Sequence, residues 1–256
     1  GGQYQVVVGP QVEGIYNDLC EIGGFSAQAA LDVNEDADLA DSAQKIVKSR
    51  IYDNGVLCTC EQCVHVQASR YDELVELLIK EGAFYISGKA DVDALRAALF
   101  PNGMINKECV GATPQFIGAQ AGLEVPEDAK LLMVKVDKYG ADEYLCKEKL
   151  CPVMCICSYN TWEEAVANAK TNLLNEGAGH SCIVRSFNQD HIDYAGEQLP
   201  VSRIGVNMIG SSGLGGSFDN GLNPTATLGC GSWGNNSISE NLWWKHLVNI
   251  ARIAVA

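Results

Sequence analysis

No apolar run in this chain approaches the ~18 to 20 residues that a membrane-spanning helix requires. The opening Gly1-Gly2-Gln3-Tyr4 has no basic stretch running into an apolar one, so an export signal is not expected. Positive charge is scarce: 18 Lys plus Arg stand against 32 Asp plus Glu, a net charge of −14. Such a field repels nucleic acid and anionic membrane surfaces, and an anionic ligand would need a local positive pocket. Internal repeats and low-complexity tracts are also missing. A secreted disulfide framework is a poor fit, because the eleven Cys are odd in number and crowd into Cys58-Thr59-Cys60 and Cys155-Ile156-Cys157. A reducing cytoplasm is expected.

What is present is enough apolar material for a sizeable core. Of 256 residues 47% are apolar and 20% charged, which excludes a disordered chain. Apolar and β-branched runs alternate with helix-period stretches, the pattern of βαβ units. The expected fold is therefore α/β, a mostly parallel sheet with helices on both faces, in one domain over residues 1–256. Strands are predicted at residues 4–8, 29–33, 63–67, 130–136, 152–158, 181–185 and 203–209. Ala40, Ala43, Ile46, Val47 and Ile51 mark one face of a helix starting near Asp38. A second helix carries Trp162, Ala165, Val166, Ala169 and Leu173, opened by the capping box Thr161-Trp-Glu-Glu164. Residues 210–236, rich in Gly, Ser and Asn, predict a long irregular loop, and loops of that length tend to be functional.

Three motifs have two readings each. Gly229-Cys-Gly231-Ser-Trp-Gly234 has the spacing of a dinucleotide-binding turn. A poor preceding strand and only 22 following residues instead favour a loop that uses glycine for backbone reasons. The cysteines at 58, 60, 63, 146, 151, 155 and 157 suggest a metal centre, but only Cys60-Glu-Gln-Cys63 has the paired-knuckle spacing. Cys155 and Cys157 would share one strand face as small buried apolar groups, so no metal is expected. The segment Asp53-Asn-Gly-Val-Leu-Cys58 puts a thiol in a Gly-containing turn between a helix and a buried strand. It is either an inert thiol or a nucleophile that nearby backbone N–H groups activate.

Four blocks, in order, resemble the aldehyde dehydrogenase superfamily, in particular its CoA-acylating branch. They are Tyr52-Asp-Asn-Gly-Val-Leu-Cys58 with Glu61-Gln62; Lys147-Glu148-Lys149-Leu150-Cys151-Pro152-Val153; Gly177-Ala-Gly-His180-Ser; and the run from Asn223 to Asn241. The resemblance extends over about residues 20–250. It implies that Cys58 is the nucleophile of an NAD-dependent reaction in which an aldehyde and CoA give an acyl-CoA. It also implies that Glu148 holds the nicotinamide ribose, with a surface salt bridge as the plain alternative. His180 would act in thioester transfer to CoA, or else be a structural histidine. Glu21 in Cys20-Glu-Ile-Gly-Gly24 is similar to the general base of hydrolytic relatives, although a helix-end carboxylate is the other reading.

Members of this superfamily are nearly twice this length and carry a separate nucleotide-binding domain, which the resemblance leads one to expect is absent or incomplete here. The chain is thus expected to be an excised catalytic domain or a natural short form, with a homo-oligomer or the missing domain as partner. A non-catalytic assembly module and a hydrolytic dehydrogenase are the competing functions. Lys147, Lys149, Arg185 and Arg203 are the candidates to offset the phosphates of CoA, and side chains between Ser211 and Leu222 to select the aldehyde.

Overall fold

The computed structural model describes residues 29–34 and 36–255. The predicted strand at 4–8 and the Glu21 segment lie outside the described residues. Seven strands form one sheet: β1 (Ala29–Val33), β2 (Glu61–Gln67), β3 (Ala83–Ile86), β4 (Leu131–Lys135), β5 (Val153–Tyr159), β6 (Gly179–Arg185) and β7 (Val201–Val206). Their order is β3-β4-β5-β2-β1-β6-β7, and every pairing is parallel. Parallel strands need crossovers, and these carry α1 (Leu39–Arg50), α2 (Tyr71–Lys80), α3 (Lys89–Leu99), α4 (Pro114–Gln120), α5 (Trp162–Asn175) and α6 (Gln189–Gln198).

Alternation along the strands sorts the core into two faces. Val64, Val66, Met133, Met154, Ile156 and Ile183 turn to one face, under α1 and α2. Cys63, Leu132, Val134, Val153, Cys155 and Cys157 turn to the other, under α3 and α4. Further along that second face, Cys182 and Val184 meet α5 and α6. The expected helix-covered parallel sheet is thus the observed one.

Local details differ from the sequence reading for identifiable reasons. On α1 it is Leu39, with Ala43, Ile46 and Val47, that is buried, while Ala40 faces solvent. The helix stops at Arg50, so Ile51 is its C-cap. Thr161 caps α5 through Glu164 N–H at 3.3 Å, but the Glu164 carboxylate reaches back to Asn160 N–H at 2.8 Å, one residue earlier than a capping box requires. Strand β2 begins at Glu61, two residues before its apolar run. Glu61 and Gln62 are nevertheless buried, because Glu61 Oε1 accepts Gly210 N–H at 3.2 Å and Gln62 Oε1 accepts Lys149 N–H at 3.3 Å. Residues 210–236 hold only the short α7 (Gly210–Gly213) and a three-residue turn at Ser232–Gly234, as a long loop should. Among the described residues no helix is long and apolar enough to cross a membrane.

Candidate active site

Because every strand runs the same way, residues just before or at the start of different strands gather at one edge of the sheet. Cys58 precedes β2, Glu148 precedes β5, His180 is the second residue of β6 and Arg203 the third of β7. The site therefore sits at the amino edge, although open α/β sheets generally bind ligands at the carboxyl ends of their strands.

Local chemistry builds the turn that carries Cys58. Asp53 and Asn54 adopt left-handed φ of 49° and 50°, and Gly55 follows at 72°. A Cβ on Gly55 would stand 2.5 Å from the Cys151 carbonyl oxygen, so only glycine lets the turn lie against the Cys151-Pro152 backbone. Asn54 Nδ2 donates to the Gly111 carbonyl at 3.0 Å, and the buried Arg50 guanidinium donates to the Cys151 carbonyl. On the far side Thr59 Oγ1 donates to the Ser211 carbonyl at 3.3 Å. The Cys58 turn is thereby clamped between the Glu148 segment and the start of the 210–236 loop. Of the ten cysteines among the described residues, Cys58 alone is not buried.

The thiol is not activated in the way the sequence suggests. Burial first, and then the Glu148 carboxylate, push its pKa up to about 11, against an opposing backbone N–H and the Arg203 guanidinium. Cys230 also lies within electrostatic range of Cys58, and burial raises its thiol pKa as well. Arg203, 3% exposed, donates to the Gly229 carbonyl and so fastens the Gly229–Gly234 loop beside Cys58. Glycines in this loop serve close approach. A Cβ at Gly179 would meet the Cys230 carbonyl oxygen at 1.9 Å, and one at Gly229 the Ile238 carbonyl oxygen at 2.2 Å. No α-helix follows Gly234 among the described residues, so the motif is a packing loop and not a phosphate-binding turn.

His180 is 3% exposed, and its Nδ1 pairs with the Ser181 hydroxyl at 2.6 Å while Nε2 has no partner. Burial, aided by the Arg203 charge, brings its pKa down to about 3, so the imidazole is neutral at physiological pH. Glu148 is half-buried, with its N–H donating to Glu176 Oε2 at 2.9 Å. Of the four cations expected to meet phosphates, Lys149, Arg185 and Arg203 are buried, and only Lys147 reaches solvent, 3.9 Å from Glu176. That expectation is corrected: Lys149 donates to the Leu145 and Lys147 carbonyls and Arg203 to that of Gly229, while Arg185 lies 4.0 Å from the buried Glu61 carboxylate. Arg203, expected to face phosphate, instead stands by the thiol, and Cys230 is a site residue that the sequence reading does not single out. The only local signal was that Cys230 lies inside the Asn223–Asn241 block.

One prediction follows from the charge arrangement. Removing the carboxylate in Glu148→Gln should lower the Cys58 pKa and speed its alkylation at pH 8 by about three- to tenfold, since a pKa drop of ~0.5 to 1 raises the thiolate fraction in proportion. Timed iodoacetamide labelling of Cys58, followed by peptide mass spectrometry, measures this; an unchanged rate would remove Glu148 from the thiol's surroundings.

The chain is thus a parallel-sheet α/β layer with one incompletely buried thiol, Cys58, in a tight turn at its amino edge. Residues 18–96 match the aldehyde dehydrogenase family. The chain is 45% identical over 232 residues to the succinate-semialdehyde dehydrogenase (acetylating) of Clostridium kluyveri, covering 91% of this chain and 51% of that protein. It is 34% identical over 237 residues to the aldehyde-alcohol dehydrogenase of Clostridium acetobutylicum, covering 91% of this chain and 27% of that one. Among solved structures, an acetylating aldehyde dehydrogenase from Geobacillus thermoglucosidasius superposes with a TM-score of 0.84 at 31% identity, over 90% of this chain and 50% of that one. The chain belongs to the aldehyde dehydrogenase superfamily, in its CoA-acylating branch. It spans about half the length of the first of these relatives.

Proposed function

We propose that this chain is the catalytic, thioester-forming part of an NAD-dependent, CoA-acylating aldehyde dehydrogenase. The observation that carries the reading is the placement of Cys58, the one thiol among the described residues that is not buried, on a turn within electrostatic range of Glu148, Arg203 and Cys230. The Cys58 sulfur attacks the aldehyde carbonyl carbon, and its thiol proton must leave as the C–S bond forms. The developing oxyanion sits against the Cys58 backbone N–H, one of the donors such a step requires. A nicotinamide dinucleotide supplies the hydride acceptor for the oxidation. Glu148 fits it, being an incompletely buried carboxylate beside the thiol and able to accept from ribose hydroxyls. The acyl group, now a thioester on Cys58, then passes to the thiol of CoA, and the Cys58 sulfur is the leaving group. The neutral His180, held by the Ser181 hydroxyl, is not a cationic acid in this scheme.

A pKa near 11 leaves only about one thiol in ten thousand ionised at pH 7. The complete reaction therefore belongs to an assembly in which a nucleotide-binding half, or a second copy, adds donors around the thiol. Exposed apolar side chains at the C-terminal end, Leu247, Ile250, Ile253 and Val255, give such a partner apolar surface to cover. Reduced thiols throughout the described residues suit the cytoplasm. The reading is tested by incubating the chain with a short-chain acyl-CoA at pH 9 and mapping the adduct. Acyl mass on Cys58, removable by added CoA, is the expected result. Absence of label, or equal label on the buried thiols, would leave the non-catalytic assembly module as the better account.

A further inference from the structure

On the sheet face opposite α1 and α2, a second group of thiols has nothing to do with the Cys58 site. Period-two geometry puts Cys63 and His65 of β2 on one face, and Cys155 and Cys157 of β5 on the same face of the neighbouring strand. Register then sets Cys63 beside Cys155 and His65 beside Cys157. The short turn Tyr144–Cys146 brings a fourth thiol, and Cys146 and Cys155 both lie close enough to Cys63 to act on its thiol. All five side chains are 0 to 2% exposed.

We infer that Cys63, His65 and Cys157, with Cys146 as the fourth ligand, form a structural site for a tetrahedral, thiolate-binding divalent ion, zinc being the best match. Ligand atoms of Cys63, His65 and Cys157 all lie within 4.8 Å of one another. The Cys63 and Cys157 sulfurs are 3.9 Å apart, and two sulfurs each ~2.3 Å from a tetrahedral zinc are separated by about 3.8 Å. The Cys63 and Cys157 sulfurs therefore already stand at ligand spacing, while Cys146, whose sulfur contacts the Lys138 carbonyl oxygen at 3.6 Å, turns inward to complete the set. Cys146 approaches from the covering turn, whereas Cys155 Sγ lies 2.8 Å from the Leu145 carbonyl oxygen. A soft three-sulfur, one-imidazole donor set favours zinc over calcium or magnesium.

Charge balance points the same way. Binding the ion displaces three thiol protons and leaves a centre of net charge −1. The fully buried Lys149 ammonium and Arg50 guanidinium are close enough to act on the Cys155 thiol and offset that charge. Spacing along the chain conceals the site, because the ligands come as Cys-x-His and Cys-x-Cys on two strands some ninety residues apart and not as paired knuckles. Such an ion would join β2, β5 and the 144–146 turn, steadying the segment that carries Glu148.

The test is metal content per folded chain. Protein expressed with added zinc, desalted and shown folded by circular dichroism, should hold roughly one zinc ion by mass-spectrometric elemental analysis. Cys58→Ala should retain it, while Cys157→Ser should retain less than about a tenth, since losing a ligand opens the tetrahedron. Chain grown with cobalt should show sulfur-to-cobalt charge-transfer absorption together with the strong d–d bands of a tetrahedral sulfur-rich site. A folded wild-type chain without metal overturns the inference, whether or not the variants fold. So does metal that departs with Cys58, or an intact mass short of a hydrogen pair that locates a Cys63–Cys157 disulfide. Acylation of Cys58 is read separately, so failure here leaves the enzymatic reading standing.

Discussion

Cys58→Ala should abolish acyl transfer from acyl-CoA, lowering the rate of thioester exchange at least a thousandfold, because the attacking atom itself is gone and no residual geometry replaces it. Folding stability should change by no more than about 1 kcal/mol, as expected for removing one sulfur at a partly exposed position. Cys230→Ala is the informative partner. Its thiol is 9% exposed and raised in pKa by burial, so it lacks the access a nucleophile needs, and its removal should leave exchange within about tenfold of the parent. Intact-mass kinetics with a fixed acyl-CoA separates the two variants. Exchange that survives Cys58→Ala and fails in Cys230→Ala would move the chemistry to the neighbouring sulfur. In the parent chain the rate should climb about tenfold for each pH unit below the thiol's pKa near 11, since thiolate is the reacting form.

His180 gives the second large effect, in stability. In the unfolded chain its imidazole titrates near 6.5, and in the folded protein near 3. Between those values the unfolded state binds the extra proton. The stability associated with a neutral His180 is therefore complete above about pH 6.5, declines as pH falls, and is lost by about pH 3. The whole window is worth roughly 4 to 5 kcal/mol, enough to unfold a domain of ordinary stability. His180→Gln keeps a hydrogen-bonding group for the Ser181 hydroxyl but cannot take up the proton. Urea denaturation from pH 7.5 to 4 should show a clearly shallower loss of stability in the variant. Glu61 works in the opposite sense, because burial raises its pKa and folding takes up its proton, and it cancels in the comparison. Identical pH slopes in the two proteins would mean that His180 is solvated and protonated in the native state.

Much of the architecture was readable in advance because strand and helix patterns are local. Continuous apolar residues at 152–158 predict a strand buried on both faces, observed as Val153–Tyr159, and spaced apolar residues predict α5. The four-residue edge strand β3 escaped because Ala83–Ile86 is short and only half-covered, and polar residues obscured where β2 begins. A thiol placed in a turn with Asn54 and Gly55 before a buried strand was legible locally, but the turn left it either inert or nucleophilic, and only the family resemblance favoured the second. The raised pKa of that thiol was not legible, since it depends on burial and on a carboxylate ninety residues away.

Chain order alone settled the alternation of helix and strand, the turn that presents Cys58 and the kinship with acylating aldehyde dehydrogenases, all of which are written in neighbouring residues. Strand order and register decided the rest. They bring Cys58, Glu148, His180, Arg203 and Cys230 to one edge of the sheet, turn three of four expected surface cations inward, and set the sulfurs of β2 against those of β5. Those outcomes depend on hydrogen bonds between strands distant in the chain, and no local period encodes such a pairing.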